Sequence, residues 1–218
     1  MKKSGVLAKD YTKKRENRKT TYFSRALRRT YEACASINRL DSDDVRILDL
    51  GCAESLSFEF IKKYCNKNSH YFGLEYNKEI INRSENVICG NISSLPVKTD
   101  SIDIVIATAV IEHVEELDIV LHEVSGVLKE NGILLITMPD PFWEKFAHYL
   151  GNIEETGFHD PYPNKTLIKT AENHGLKLTD YYKFMITPMG YIWEKKFEKI
   201  IPDFLLLNRF FEFRKNND

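Results

Sequence analysis

Gly51, Glu75 and Asn91 each follow a short apolar run, and together they have the chemistry to hold a nucleoside. The first run, "VRILDL" (45–50), leads into Gly51-Cys52-Ala53-Glu54-Ser55. Glycine there permits a tight turn and lets backbone N–H groups approach a ligand. Glu75 lies 24 residues beyond Gly51, where an acidic side chain can accept both hydroxyls of a ribose. Asn91 can hydrogen-bond an adenine edge while Ile92 packs on its face. Asp49, Cys52, Ala53, Tyr76 and Thr108 sit at the same strand ends, and they join Gly51, Glu75, Asn91 and Ile92 as cofactor-binding candidates. A dinucleotide is disfavoured, since Ala53 and Leu56 stand where G-x-G-x-x-G needs its second and third glycines. A P-loop is excluded because the chain contains no G-K-[ST].

The elements that must position these residues follow from periodicity. Leu27, Tyr31, Cys34 and Ile37 recur at helical spacing, predicting a helix over 21–40. Strands are expected at 45–50, 70–76, 86–90 and 101–110, the last apolar on both faces as a central parallel strand is. A helix over 115–129 stops at Asn131-Gly132, and a fifth strand covers 132–139. Asn77 is read as the cap of a short helix holding Ile80 and Ile81, and Asn164 as the cap of a helix ending at Gly175. A sixth strand at 176–185, a helix over 191–201 and a closing strand "FFEFRK" complete the chain. This alternation predicts an α/β fold: a mostly parallel, three-layer sheet of seven strands with helices on both faces, plus an added N-terminal helix. Ligands of such sheets sit beyond the carboxyl ends of the strands.

At 218 residues, 43% of them apolar and 29% charged, the chain fits one globular domain. Residues 1–20 form a basic arm and 21–218 the domain, with a cofactor half at about 45–138 and a substrate-covering segment at about 139–164. Residues 1–30 hold eleven Lys/Arg against Asp10 and Glu16, while the remainder carries about −10. Such an arm either holds a phosphate-bearing substrate, nucleic acid or an anionic membrane, or is simply solvated. The longest apolar run, 104–111, falls short of a membrane span, and no apolar stretch follows the basic start as in a secretory leader. Cys34, Cys52, Cys65 and Cys89 show no C-x-x-C spacing, so free thiols and a cytoplasmic location are expected.

The segment from Val45 to Tyr182 resembles the class I S-adenosylmethionine-dependent methyltransferases, particularly the small type called methyltransferase type 11. "ILDLGCAES" is similar to the family's D-L-G-C-G-x-G, and "YFGLEYN" to its ribose-binding acidic motif. "GNISSLPVKTDSIDIVIATAVIEHV" matches G-D-x-x-x-L-P-F-x-D-x-S-F-D and the E-H-V segment after it. "VSGVLKENGILLITMPDP" matches L-x-P-G-G-x-L. Ala53 and Ser55 replace glycines, Asn91 replaces an aspartate, and Glu130-Asn131-Gly132 replaces P-G-G. Ala53 and Ser55 are tolerable if neither needs a positive φ. Asn91 keeps a carbonyl acceptor for the adenine amine.

The resemblance implies a Rossmann-like methyltransferase fold, S-adenosylmethionine as cofactor, and in-line transfer to an oxygen or nitrogen of a small-molecule acceptor. Gly51 and its neighbours would face the methionine part, Glu75 the ribose, and Asn91 and Ile92 the adenine. His113, just beyond the fourth strand, is the candidate base, or else it packs the following helix; His159 is a second candidate. Phe142, Trp143, Phe146, Tyr149, Phe158 and Tyr162 either cover an apolar or ring-bearing acceptor or pack their segment onto the sheet. Two alternatives stay open. Small-RNA 2′-O-methyltransferases hold a metal with Glu-x-x-Glu-His, for which Glu112, His113 and His159 would be ligands, but Ala109 occupies the first glutamate position. The substituted loop also suits a non-catalytic cofactor-binding protein. No metal is expected on the main reading, nucleic acid is a disfavoured partner, and the oligomeric state is left open.

Overall fold

The computed structural model describes residues 19–53, 56–81, 86–150 and 161–216. Its seven strands are β1 (Asp44–Leu50), β2 (Asn68–Glu75), β3 (Val87–Cys89), β4 (Ile102–Thr108), β5 (Leu128–Pro139), β6 (Leu176–Phe184) and β7 (Asn208–Lys215). The helices are α1 (Lys19–Ile37), α2 (Leu56–Tyr64), α3 (Lys78–Ile81), α4 (Leu117–Val127), α5 (Pro141–Tyr149), α6 (Asn164–Asn173) and α7 (Lys195–Glu198). Ile104, Val105, Ile106 and Ala107 of β4 are all fully buried, so this strand is covered on both faces and must lie inside the sheet. On one face Leu48, Val105 and Leu134 pack with α4 and α6 through Leu121 and Leu167. On the other, Ile47, Ile104 and Ile106 pack with α1 and α2 through Cys34 and Ile61.

The strand order is β3-β2-β1-β4-β5-β7-β6. β1 pairs in parallel with β2 on one side and β4 on the other, while β7 runs antiparallel between β5 and β6. The chain thus builds outward from β1 in one direction and returns to build in the other. That reversal opens a crevice at the carboxyl ends of β1 and β4, where open α/β sheets bind ligands. A shallow groove of about 490 Å³ lined by Arg46, His70, Phe72 and Ile88 lies toward the amino ends of the strands, away from that crevice.

Several expected boundaries move. α4 ends at Val127, not Lys129, because the N–H groups of Asp100 and Ser101 take the carbonyls of Gly126 and Val127 (3.0 Å each). Leu128 already pairs with Ile102, so Asn131, at φ +60, lies within β5 and does not end the helix. Pro163, not Asn164, precedes α6; the Asn164 Oδ1 accepts from Arg209 instead (2.5 Å). The helix expected over 191–201 shrinks to a 3-10 turn, Ile192–Glu194, and α7. Of the four free cysteines, Cys34 and Cys52 are buried, Cys65 is half-buried and Cys89 is exposed.

α1 is fixed by buried charge. Arg28 and Glu32, one turn apart and almost inaccessible, pair with each other. Arg28 also reaches Glu198 of α7 (2.7 Å), and Glu32 accepts from Tyr182 Oη (2.6 Å) and Lys195 (2.9 Å). Each charge has a partner, so removing one leaves the rest desolvated and uncompensated. Arg28→Ala is therefore expected to destabilise the fold by about 3–5 kcal/mol, measured as a lowered urea midpoint.

Candidate active site

β1 ends in an immediate turn, because the N–H groups of Gly51 and Cys52 both donate to the carbonyl of Leu74 in β2 (2.8 and 3.2 Å). Gly51 adopts φ +66, and a Cβ there would stand 2.7 Å from Cγ2 of Val110. The turn after β1 therefore lies directly against the turn after β4. A Cβ on Gly73 would meet the Cys52 thiol at 2.4 Å, so the buried Cys52 side chain packs on β2.

The expectation that this turn offers N–H groups to a ligand needs correction. Those of Gly51 and Cys52 are spent on Leu74, and that of Ala53 donates to Glu75 Oε2 (2.9 Å). Glu75 Oε1 accepts from the Asn77 N–H (2.9 Å). One carboxylate thus joins the turns after β1 and β2, and each oxygen retains a lone pair for a further donor. Ala53 itself sits at φ +49, so the condition under which alanine would be harmless is not met; Glu54 and Ser55 lie outside the described residues.

Asp49 is 1% exposed. Its Oδ2 accepts from Tyr71 Oη (2.6 Å), while Oδ1 is buried with no partner. Burial pushes the carboxyl up to about 6, with the hydrogen bonds of Tyr71 and Ser57 pulling the other way. Asn91 is exposed and closes its own turn, its Oδ1 accepting from the Ser93 N–H (3.0 Å). One lone pair of that oxygen is therefore used locally. Ile92 packs half-buried against the core face that holds α4. Tyr76 is 68% exposed, and Thr108 faces Thr137 across the β4–β5 register.

Beyond β4, a 3-10 turn (Ile111–His113) exposes His113 and buries Glu112. Glu112 Oε2 is buried without a partner, as is Thr137 Oγ1 nearby in β5. Burial drives the Glu112 carboxyl up to about 7, although the charge of Arg29 lowers it. Arg29 of α1 is held by Asn208 Oδ1 (3.1 and 3.0 Å). Glu144 of α5 completes the group, its own carboxyl raised by burial and lowered by Arg29 and Arg25. A cluster of charged side chains thus joins α1, α5 and the turn after β4. From the sequence Glu112 is a candidate only as a metal ligand, since "VIEHV" does not show which polar side chain turns inward. Among the described residues no three His, Cys, Asp or Glu side chains come together as metal ligands. His159 and Phe158 lie outside the described residues.

A mostly parallel sheet in this order, with an acidic side chain at the end of β2 and a buried acid at the end of β1, defines a Rossmann-like class I methyltransferase fold. Residues 41–200 match the methyltransferase domain family, and the chain belongs to it. An uncharacterized protein of Methanocaldococcus jannaschii is 32% identical over 98 residues, which span 44% of this chain and 41% of that protein. An S-adenosylmethionine-dependent methyltransferase from Methanosarcina mazei superposes with a TM-score of 0.64 at 18% identity, covering 84% of this chain and 98% of that one. The geranyl diphosphate C-methyltransferase of Streptomyces coelicolor, solved with S-adenosyl-L-homocysteine, gives 0.62 at 11% identity over 85% of this chain and 78% of that one.

A left-handed alanine costs about 1 kcal/mol. Ala53→Gly is therefore expected to raise the melting temperature by about 2–4 °C, read by calorimetry.

Proposed function

We propose that the chain transfers the methyl group of S-adenosylmethionine to an oxygen or nitrogen of a small-molecule acceptor. The buried, unpartnered Oδ1 of Asp49 carries this reading. An orphaned carboxylate oxygen at the crevice is costly unless a donor reaches it, and the cofactor's ammonium supplies one. The residues present fit the rest of the cofactor as well. Glu75 keeps one lone pair on each oxygen for the ribose hydroxyls, and Asn91 with Ile92 brackets the adenine.

When bound, the cofactor supplies a methyl group already activated on a sulfonium. The chain's own task is to orient, to exclude water and to manage a proton. Asp49 holds the amino-acid end of the cofactor and Glu75 its ribose, while Gly51 and Val110 fix the width of the crevice. α1 and α5 lie on the acceptor side. A base is needed only where the attacked atom carries a proton. Glu112, buried and titrating near neutrality, is suited to hold that proton, which favours an O–H or N–H acceptor; His113 stands one residue on, at the surface.

Two measurements test this reading. Calorimetry should show S-adenosylmethionine binding that tightens as pH rises through about 6, because the Asp49 carboxyl is neutral below that value in the free protein. Asp49→Asn should weaken binding about tenfold and flatten the profile; no heat from the native chain would sink the assignment. In an acceptor screen that reads the demethylated cofactor, Glu112→Gln should lower turnover by about 10²-fold with cofactor affinity unchanged. Full turnover in that variant, with loss in His113→Ala, would transfer the role to His113.

A further inference from the structure

Most of the large exposed apolar side chains fall in two segments. Phe142, Phe146, Tyr149 and Leu150 belong to α5 and the residue after it, and Tyr191, Trp193, Phe197, Ile200 and Phe204 to the stretch leading to β7. Tyr149 is 85% exposed, Ile200 77% and Phe204 65%. The two segments adjoin where α5 begins: Trp143 Nε1 donates to the Phe204 carbonyl (2.8 Å) and the Asp140 N–H to that of Leu207 (2.9 Å). Phe142 stacks on Phe146, and Tyr191 on Trp193. The same chain stretch then buries Phe210, Phe211 and Phe213 completely, so the core is filled without these rings. Contiguous exposed apolar area of this kind marks an interaction surface.

Charge selects the partner. Lys145, Lys196 and Lys199 are exposed within this face. Of its acids, Asp203 is exposed, Glu198 is engaged by Arg28 and Glu144 is half-buried. α1 is bolted to α7 by the Arg28–Glu198 and Lys195–Glu32 pairs. Residues 1–18, which run into α1, carry seven Lys/Arg against Asp10 and Glu16. In a two-fold dimer each patch meets its own copy, and three lysines facing three lysines repel. Aromatic rings interleaved with lysines suit the headgroup level of an anionic bilayer. Among the described residues no helix is long and apolar enough to cross one.

We propose that the α5–α7 face docks peripherally on an anionic lipid bilayer, its aromatic side chains entering the headgroup layer and its lysines meeting lipid phosphates. This surface does not depend on the methyl acceptor, and its test uses no turnover.

Both tryptophans of the chain, Trp143 and Trp193, lie on this face, so intrinsic fluorescence reports on it directly. With phosphatidylcholine vesicles containing phosphatidylglycerol, the emission should shift to the blue and the protein should sediment with the lipid. Pure phosphatidylcholine should do neither. Replacing Lys145, Lys196 and Lys199 together by Gln should raise the lipid concentration for half-maximal shift at least about tenfold. Phe142→Ser with Phe204→Ser should abolish sedimentation at an unchanged melting temperature. Three results would overturn the proposal: no response to anionic vesicles, a fall in melting temperature in the serine variant that marks the rings as core, or a lipid-independent dimer that shields both tryptophans.

Discussion

The absence of a side chain at Gly51 is the constraint on which the crevice depends. Sheet order requires the turns after β1 and β4 to rise side by side at the reversal point, and the two meet at Gly51 and Val110. The 2.7 Å separation that a Cβ would impose cannot be relieved at Gly51, whose left-handed φ fixes where the Cβ would point. The Val110 side chain would have to turn away, in addition to the strain of a residue with a Cβ in left-handed backbone. One glycine thus sets the spacing between the end of the crevice that holds Asp49 and the turn that carries Glu112 and His113.

A turn this poor in glycine is held by hydrogen bonds rather than by backbone freedom. Ala53 and Ala109 both adopt left-handed backbone, at φ +49 and +57, which alanine avoids when unconstrained. Each is fixed by its own N–H, Ala53 to Glu75 and Ala109 to the carbonyl of Thr137 (2.8 Å). Two strained residues after two neighbouring strands, both over-determined by their surroundings, is the pattern expected where backbone strain is retained at a site. Glu75 therefore has a structural task, and the hydrogen bonds it accepts leave one lone pair on each oxygen.

Much of the fold was legible because its strands are short and strongly apolar. "RILDL" and "DIVIATAV" announce buried parallel strands, and the alternation with amphipathic stretches leaves few topologies. The acidic residue after β2 was legible from its distance to Gly51. What was not legible depends on contacts between segments far apart in sequence. Nothing in α4 itself shows that Asp100 and Ser101 will cap its last carbonyls, or that Asn164 will be claimed by Arg209 from the far end of the chain. Glu112 and His113 are adjacent polar residues, and only the 3-10 turn beneath α1 decides that the glutamate faces in. The aromatic residues of 142–149 illustrate the same limit: their spacing suits a packed helix, yet among the described residues no element covers Phe142, Phe146 and Tyr149.

Asp49 and Glu112 show how one physical effect yields two different groups. Both are carboxyls removed from water, and burial raises both. Asp49 receives a hydroxyl hydrogen bond from Tyr71, which favours its charged form and restrains the rise to about 6. Glu112 has the field of Arg29, a backbone hydrogen bond and the more weakly felt Arg209 to offset its desolvation, with Glu144 acting against it, and it rises to about 7. A buried acid that is ionised at neutral pH invites a cation, whereas one poised near neutrality can accept a proton and give it up again. The first kind lies at the end of β1 and the second beyond the end of β4, so the difference between the two carboxyls follows from which partners each meets inside the sheet's edge.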